Sequence, residues 1–231
     1  SNSPFNLNVP IDRGYVWKKS TVEDPEFKRF KLTDDGVSPR ALPGTENGVH
    51  VLVGAEHDEH SNSLSGNRCG LPLSGELREK MTRKRFQKLH HLQKEMDAPR
   101  WYGEGNADYT LICWGSTENA CKESVDRLNN IKSKGLWNLL SFKDLYPFPS
   151  HLTIPELKKI KKGIIIECNF TGQFEKILYL NTGWRPLDSL RFISGETPTG
   201  YEIVMEIISK YSKIWEPQTP ISCEFLEEAW H

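Results

Sequence analysis

The most chemical-looking stretch of the sequence is Glu56-His57-Asp58-Glu59-His60. Imidazoles and carboxylates packed this closely form a donor set that suits zinc or non-haem iron. On a strand, Glu56, Asp58 and His60 would share one face; on a loop no shared face follows. No distant Cys or His pair completes a site, so a solvated polar turn competes with a metal centre built on His57 and His60. Arg40 follows a Ser-Pro turn, and a guanidinium there suits a carboxylate or a phosphate. The plain alternative is that Arg40 ties its own loop to a neighbouring acid. Gly115-Ser116-Thr117, at a strand-to-helix turn, could seat an anion on the helix N-terminus, although every α/β domain has such turns. Between residues 78 and 100, eight Lys/Arg face three Asp/Glu. That surface could contact phosphates, but an exposed amphipathic face explains it equally well.

Composition narrows the class. The 231 residues carry Lys+Arg 30 against Asp+Glu 31, a net charge of -1, which argues against a nucleic-acid-binding protein. Trp 7, Tyr 7 and Phe 10 are enough aromatics to build a core, so the chain is not a disordered tail. No apolar run approaches the ~20 residues that span a bilayer. Ser1-Asn2-Ser3-Pro4 has neither a basic nor an apolar signal region, so no signal peptide is expected. The cysteines at 69, 113, 121, 168 and 223 contain no C-x-x-C. That spacing suits neither an iron–sulfur cluster nor a zinc ribbon, and an odd, scattered set fits reduced thiols in a cytoplasmic protein. No P-loop, dinucleotide fingerprint, H-E-x-x-H or G-x-S-x-G motif is present.

The elements that must position these groups divide near residue 106. Residues 1–106 are expected to form an irregular arm, rich in Pro and Gly at first, with a short strand at His50–Val53 and a loop from Ser61 to Gly70. Such an arm expects a partner surface to lie on. A helix over 76–97 follows, with Leu77, Met81, Leu89, Leu92 and Met96 on one stripe, Phe86 near it and Ser74 as its N-cap. Trp101–Gly105 reads as a linker. Residues 107–231 alternate regularly. Strands are expected at Tyr109–Trp114, Trp137–Phe142, Ile164–Cys168 and Leu190–Ile193. Helices are expected after Ser116 as N-cap (Cys121, Val125, Leu128, Ile131, closed by Gly135), from Thr153-Ile154-Pro155-Glu156, over Gly172–Leu180, and from the capping box Thr199–Glu202 (Ile203, Val204, Ile207, Ile208, Tyr211, Trp215). Four strand–helix alternations predict a small, doubly wound α/β domain with a mostly parallel sheet.

Several of these segments, in order, resemble one family. Thr33-Asp34-Asp35-Gly36-Val37-Ser38-Pro39-Arg40-Ala41-Leu42-Pro43-Gly44 is similar to the T-x-D-G-[IV]-S-P-R-x-x-P-G segment of 2-oxoacid:ferredoxin oxidoreductase alpha subunits. Gly54 to Glu59 resembles their G-x-E-H-D-E, and Arg78 to Leu89 their R-x-x-M-x-x-K-R-x-x-K-L. Trp114 to Thr117 resembles W-G-S-T, Tyr146-Pro147-Phe148-Pro149 resembles x-P-F-P, and Glu167 to Gln173 resembles E-x-N-x-x-G-Q. The order and rough spacing agree along residues 27 to 208.

The resemblance implies a cytoplasmic enzyme that decarboxylates a 2-oxoacid oxidatively on thiamine diphosphate. Electrons pass through iron–sulfur clusters to ferredoxin, and the acyl group passes to coenzyme A. It implies that residues 107–231 are a transketolase C-terminal-like domain. The family's Y-P-I-T-P segment and its thiamine-diphosphate and Mg signature have no match in this chain. The chain is therefore expected to be the C-terminal portion of an alpha subunit, binding no cofactor alone and inactive alone. Thiamine diphosphate, Mg and the iron–sulfur clusters would sit on other domains or subunits. The expected partners are a beta subunit, with gamma and delta subunits in some members, and a homodimer is open. Arg40, His57, Asp58 and Glu59 are the residues expected near the cleft. Ser116, Thr117, Asn169, Gly172 and Gln173 are the expected anion or interface residues, with Gly172 opening the next helix and Asn169 turning the chain as the plainer alternative. The competing reading is a non-enzymatic α/β module gripping an anionic ligand or a partner protein.

Overall fold

Continuous apolar runs such as Ile164-Ile165-Ile166 belong in strands covered on both faces. The computed structural model describes residues 8, 10, 16–17, 27–64, 75–131 and 135–211, and places such strands at the centre of a sheet. The chain divides into two compact units. One is Phe5–Glu95; the other is Met96–His231 together with Ser1–Pro4.

In the first unit, β1 (Val16–Trp17) pairs in parallel with β2 (Arg40–Ala41). The helix α1 (Gly75–Lys94) follows the arm. Its face toward the arm is Met81 and Lys84, both buried, while Phe86 and Leu92 are exposed. The expected stripe is thus corrected: the helix forms, but one of its buried positions is a lysine. The strand expected at His50–Val53 is also corrected. Those residues carry no strand assignment, and Val51 and Leu52 are exposed. Ser74, Cys69, Trp215 and Cys223 lie outside the described residues.

The second unit is a five-stranded sheet in the order β3-β5-β4-β6-β7. Its strands are β3 (Arg100–Tyr102), β4 (Tyr109–Trp114), β5 (Trp137–Phe142), β6 (Gly163–Glu167) and β7 (Asp188–Arg191). All neighbours pair in parallel except the edge strand β3, which is antiparallel to β5. The expected linker at Trp101–Gly105 is thus half strand. Trp101 is held there because its indole N–H donates to Glu156 at 2.6 Å.

Alternate residues of each central strand feed opposite layers. Leu111, Cys113, Leu139, Ile164 and Ile166 pack under α2 (Glu118–Asn130) and α5 (Gly200–Tyr211), through Cys121, Val125, Leu128, Ile203, Val204 and Ile207. Ile112, Leu140, Phe142 and Ile165 pack under α3 (Ser150–Leu157) and α4 (Gln173–Thr182), through Leu157, Phe174 and Leu178. Helices on both faces of a mostly parallel sheet are the doubly wound arrangement the alternation predicts.

Helix starts differ in detail. The α5 capping box forms as expected: Thr199 N–H donates to Glu202 at 2.8 Å, and Glu202 N–H donates to Thr199 Oγ1 at 3.2 Å. The helix expected to start at Thr153 begins at Ser150, so Pro155 lies inside it and Thr153 Oγ1 is buried without a hydrogen-bond partner among the described residues. Ser116 caps nothing. Gly115–Thr117 is a short 3₁₀ turn, and Thr117 is the residue preceding α2. α2 ends at Asn130, so Gly135 lies beyond its cap and instead packs on the ring of Tyr109.

The two threonines should respond oppositely to substitution. Thr199→Ala removes half of a working box and should cost about 1 kcal/mol. Thr153→Val removes a hydroxyl that has no partner and should leave stability unchanged or higher. Urea unfolding of both variants measures the difference.

Candidate functional site

Two sets of functional side chains take shape, one in each unit. In the first, the segment leading to Arg40 is laid directly on α1. Gly36 has φ +75°, and a Cβ there would come within 2.5 Å of Lys84 O and 2.8 Å of Lys88 N. Only glycine permits that approach and that backbone conformation. The turn closes on itself: Val37 N–H donates to Asp35 Oδ1 at 2.9 Å, and Thr33 Oγ1 donates to Val37 O at 3.2 Å. The Val37 N–H, helped by Thr33, holds the Asp35 carboxyl below its ordinary pKa.

Lys84 is the strut. Its ammonium, 8 % exposed as a residue, donates to Phe30 O at 3.0 Å and to Ser38 Oγ. Ser38 Oγ in turn donates to Lys31 O at 2.9 Å. Burial presses Lys84 down to about 8, with Arg29 adding to the effect and Glu59 opposing it. Arg40 lies one residue beyond buried Pro39, is exposed, and is carried by β2.

The acidic cluster is spent on fastening the same arm. Glu56 accepts from Arg78 Nε at 2.8 Å and lies 3.6 Å from Arg85, both on α1. The His57 ring stacks on Phe30 with centroids 3.6 Å apart. Asp58 folds its own turn, accepting from the N–H groups of His60 at 2.9 Å and Asn62 at 2.8 Å. Burial would raise Asp58, but its bonds to Asn62 and the His60 N–H outweigh that and leave it lowered. Glu59 accepts the Leu32 N–H at 2.6 Å. No three His, Cys, Asp or Glu converge on a cation position among the described residues. His57 Nδ1 is buried without a partner there.

Several basic residues of α1 are paired likewise. Beyond Lys84, Arg78 and Arg85, Lys80 pairs with Glu76 and Arg83 with Glu79, each one helical turn away.

In the second unit, β4 is followed by β5 on one side, and the chain then crosses to β6 on the other. Beyond the strand C-termini at such a reversal lies the usual ligand crevice of this fold. Here it is lined by Trp114, Ser116, Thr117, Glu167, Cys168 and Asn169. Glu167 is buried, with both oxygens committed: Oε2 accepts the Phe174 N–H at 2.9 Å and Oε1 the Glu175 N–H at 3.0 Å. Asn169 Oδ1 accepts the Gln173 N–H at 3.0 Å, and Asn169 Nδ2 donates to Glu167 Oε2 at 2.5 Å. The orphan donors that begin α4 are thus met by side chains from the preceding strand and loop. Gly172 (φ +63°) gives up its Cβ space to the Arg191 guanidinium, 2.8 Å from where that carbon would sit. Ser116, Thr117 and Asn169 therefore share the crevice, whereas Gly172 and Gln173 serve the helix start.

These residues do not fit thiamine diphosphate. Glu167, the one carboxylate lining the crevice, is buried and turns both oxygens to the backbone N–H groups that start α4 instead of presenting a free carboxylate to an aminopyrimidine. Of the described cysteines, Cys113 and Cys121 are buried and Cys168 is exposed. No step through that cofactor is assigned to this chain.

The sequence did not single out Lys84 or Glu167 by themselves. Lys84 is detectable as a cation three positions after Met81, where an apolar residue would continue the stripe. Glu167 is detectable as an acid closing an otherwise apolar strand.

The second unit is a doubly wound α/β domain with a switch-point crevice, and the first is a charged arm braced on a helix. No protein-family model matches the chain. It is 33 % identical over 186 residues to the 2-oxoacid:ferredoxin oxidoreductase subunit alpha of Saccharolobus solfataricus, covering 78 % of this chain and 27 % of that one. It is 26 % identical over 197 residues to 2-oxoacid:ferredoxin oxidoreductase 2, subunit alpha, of Aeropyrum pernix, covering 84 % and 28 %. Among solved structures, it resembles the 2-oxoglutarate:ferredoxin oxidoreductase of Magnetococcus marinus, determined with 2-oxoglutarate, coenzyme A and succinyl-CoA bound. That match has TM-score 0.64 and 29 % identity, over 85 % of this chain and 32 % of the other. The chain is a homologue of part of the 2-oxoacid:ferredoxin oxidoreductase alpha subunit. It spans little more than a quarter of the length of the curated relatives it matches. No helix among the described residues is long and apolar enough to cross a membrane.

Two substitutions test the local reading. Glu167→Ala leaves the buried Phe174 N–H without its acceptor and should cost about 2–3 kcal/mol. Lys84 binds its proton less tightly folded than unfolded. Its contribution to stability is therefore lowest below about 8 and rises as pH climbs toward the free-lysine value near ~10.4. Urea titrations at about pH 7 and about pH 9.5 should find the gap between wild type and Lys84→Met shifting in favour of wild type at the higher pH.

Proposed function

We propose that this chain is the C-terminal portion of the alpha subunit of a thiamine-diphosphate-dependent 2-oxoacid:ferredoxin oxidoreductase. Its second unit would be the transketolase C-terminal-like domain. Its own role is assembly and completion of the active-site cleft. Thiamine diphosphate, Mg and the iron–sulfur clusters would be carried by other domains or subunits, and a beta subunit, ferredoxin and coenzyme A complete the reaction.

The observation that supports this reading most directly is the way Arg40 is presented. The resembling segment Thr33–Gly44 is laid on α1 at Gly36 and held there by Lys84 and Gln87, and it carries the exposed residue Arg40. A guanidinium held on a braced backbone is a pre-oriented partner for the carboxylate of a 2-oxoacid. His57, Asp58 and Glu59 act behind it, as the brace.

Two measurements test the proposal. Viologen reduction by the purified chain with a 2-oxoacid, thiamine diphosphate, Mg and coenzyme A should be absent. It should appear once the remaining alpha-subunit domains and the beta subunit are added. Activity of the chain alone would overturn the assignment of the chemistry to other parts. In the assembled enzyme, Arg40→Lys should lower kcat/KM for the 2-oxoacid by about 10-fold to 100-fold, because an ammonium cannot reproduce the bidentate contact.

A further inference from the structure

The side chains of β4 and β5 that face α3 and α4 are apolar along most of their length: Ile112, Leu140 and Phe142. At the N-terminal ends of the two strands the same face changes character. Thr110 and Asn138 stand opposite one another in the parallel pairing and are 2 % and 3 % exposed. Side chains two apart along a strand share a face, so this polar pair continues the rows of Ile112 and Leu140. A cavity of about 240 Å³ is lined by the pair, by Trp101 of β3, by Lys159 just past α3 and by the loop Gly105–Ala107. It lies at the opposite end of the sheet from the crevice beyond Trp114 and Glu167.

One acceptor in this lining is unanswered. Asn138 Nδ2 donates to Glu104 O at 3.0 Å, which fixes the amide, since turning it over would set two acceptors against each other. Asn138 Oδ1 is then buried with no hydrogen-bond partner among the described residues. A buried amide oxygen in that state calls for a donor. The cation in the lining is balanced: Lys159 pairs with Glu156 at 2.6 Å, and Glu156 also accepts the Trp101 indole N–H. The loop is tied at two points, Glu104 O by Asn138 and Asn106 O by Lys161 Nζ at 3.0 Å. The cavity is therefore formed before anything enters it.

We propose that this cavity is a binding site for a small, flat, uncharged molecule that carries an N–H donor, of the primary-amide or lactam type. The donor answers Asn138 Oδ1. Thr110 beside it offers a hydroxyl to the carbonyl that an amide carries next to its N–H. A flat apolar body suits the indole of Trp101 and the methyl of Ala107. An anion does not suit the site, because Glu156 already neutralises Lys159 and the unanswered group is itself an acceptor. The volume is that of roughly eight waters at ~30 Å³ each, so one water on Oδ1 does not fill it.

Benzamide is the probe. Acetophenone has the same shape with a methyl in place of the NH2 donor, and benzoate has that shape with a negative charge and no donor. Benzamide titrated into the isotopically labelled chain should move the Asn138 side-chain amide and Trp101 indole NMR signals, with a Kd of about 1 mM or below. Acetophenone and benzoate should each bind at least tenfold more weakly. Asn138→Leu should weaken benzamide at least tenfold, and if that variant fails to fold, the comparison of the three molecules on the wild type decides. Unmoved signals leave water as the occupant and overturn the proposal. Equal affinity for acetophenone or benzoate, or full affinity in a folded Asn138→Leu, overturns it as well. The whole alpha subunit should bind benzamide as the chain does, a comparison that alone rests on the alpha-subunit reading. Binding to the chain but not to the whole subunit means that another part of the subunit fills the cavity, which overturns the proposal and leaves that reading intact.

Discussion

A strand covered on both faces leaves little place at its centre for a charged side chain. β4 and β6 are such strands: Leu111, Ile112, Cys113 and Ile164 to Ile166 are all fully buried between two helical layers. Every group able to recognise something is therefore displaced to the strand ends. Trp114, Ser116 and Thr117 follow β4, and Glu167, Cys168 and Asn169 end or follow β6. Because the chain runs from β4 to one side and returns to the other, the two ends part and the crevice opens between them. The crevice-lining groups lie at the strand ends, where the sheet stops being covered on both faces.

The arm solves a different problem. It has too few apolar residues to bury against α1, so polar contacts do the joining. A buried ammonium, two arginines and a glutamine of α1 reach backbone carbonyls, the Ser38 hydroxyl and Glu56 on the arm, while Phe30 and His57 supply one stacked pair. Polar joinery of this sort is specific in geometry but small in net energy, because each bond replaces one to water. It suits a segment whose task is to hold one side chain in a set direction.

Much of the second unit is legible in the sequence, and for one reason: its strands are continuous apolar runs and its helices α2 and α5 carry clean stripes. Cys121, Val125, Leu128, Ile203, Val204 and Ile207 are buried where the 3.6-residue period puts them. The edge strand β3 is not legible, since Arg100-Trp101-Tyr102 is short and flanked by Gly103 and Gly105, and only pairing with β5 makes it a strand. The start of α3 is hidden because Thr153 and Glu156 imitate a cap one turn too late. Val51 and Leu52 have the side chains of a strand but pair with no strand among the described residues, and propensity alone does not make a ladder. At the site, the residue types of the arm are visible, but their partners on α1 lie 22 to 54 positions away, as Arg78 to Glu56 and Lys84 to Phe30 do. Pairings at that separation leave no local periodicity to detect.

The loop between β6 and α4 has one more consequence. Glu167 and Asn169 grip the first turn of α4, Gly172 is hemmed in by a guanidinium, and Arg191 reaches across from β7 to the Phe170 carbonyl at 3.3 Å and to Glu175. The loop is thereby held by two neighbouring elements at once. A partner meeting this loop finds its backbone already ordered, so association there loses little conformational entropy. Affinity at such a surface is governed by how well shapes match, and a small misfit in the partner is not absorbed by the loop but felt in full.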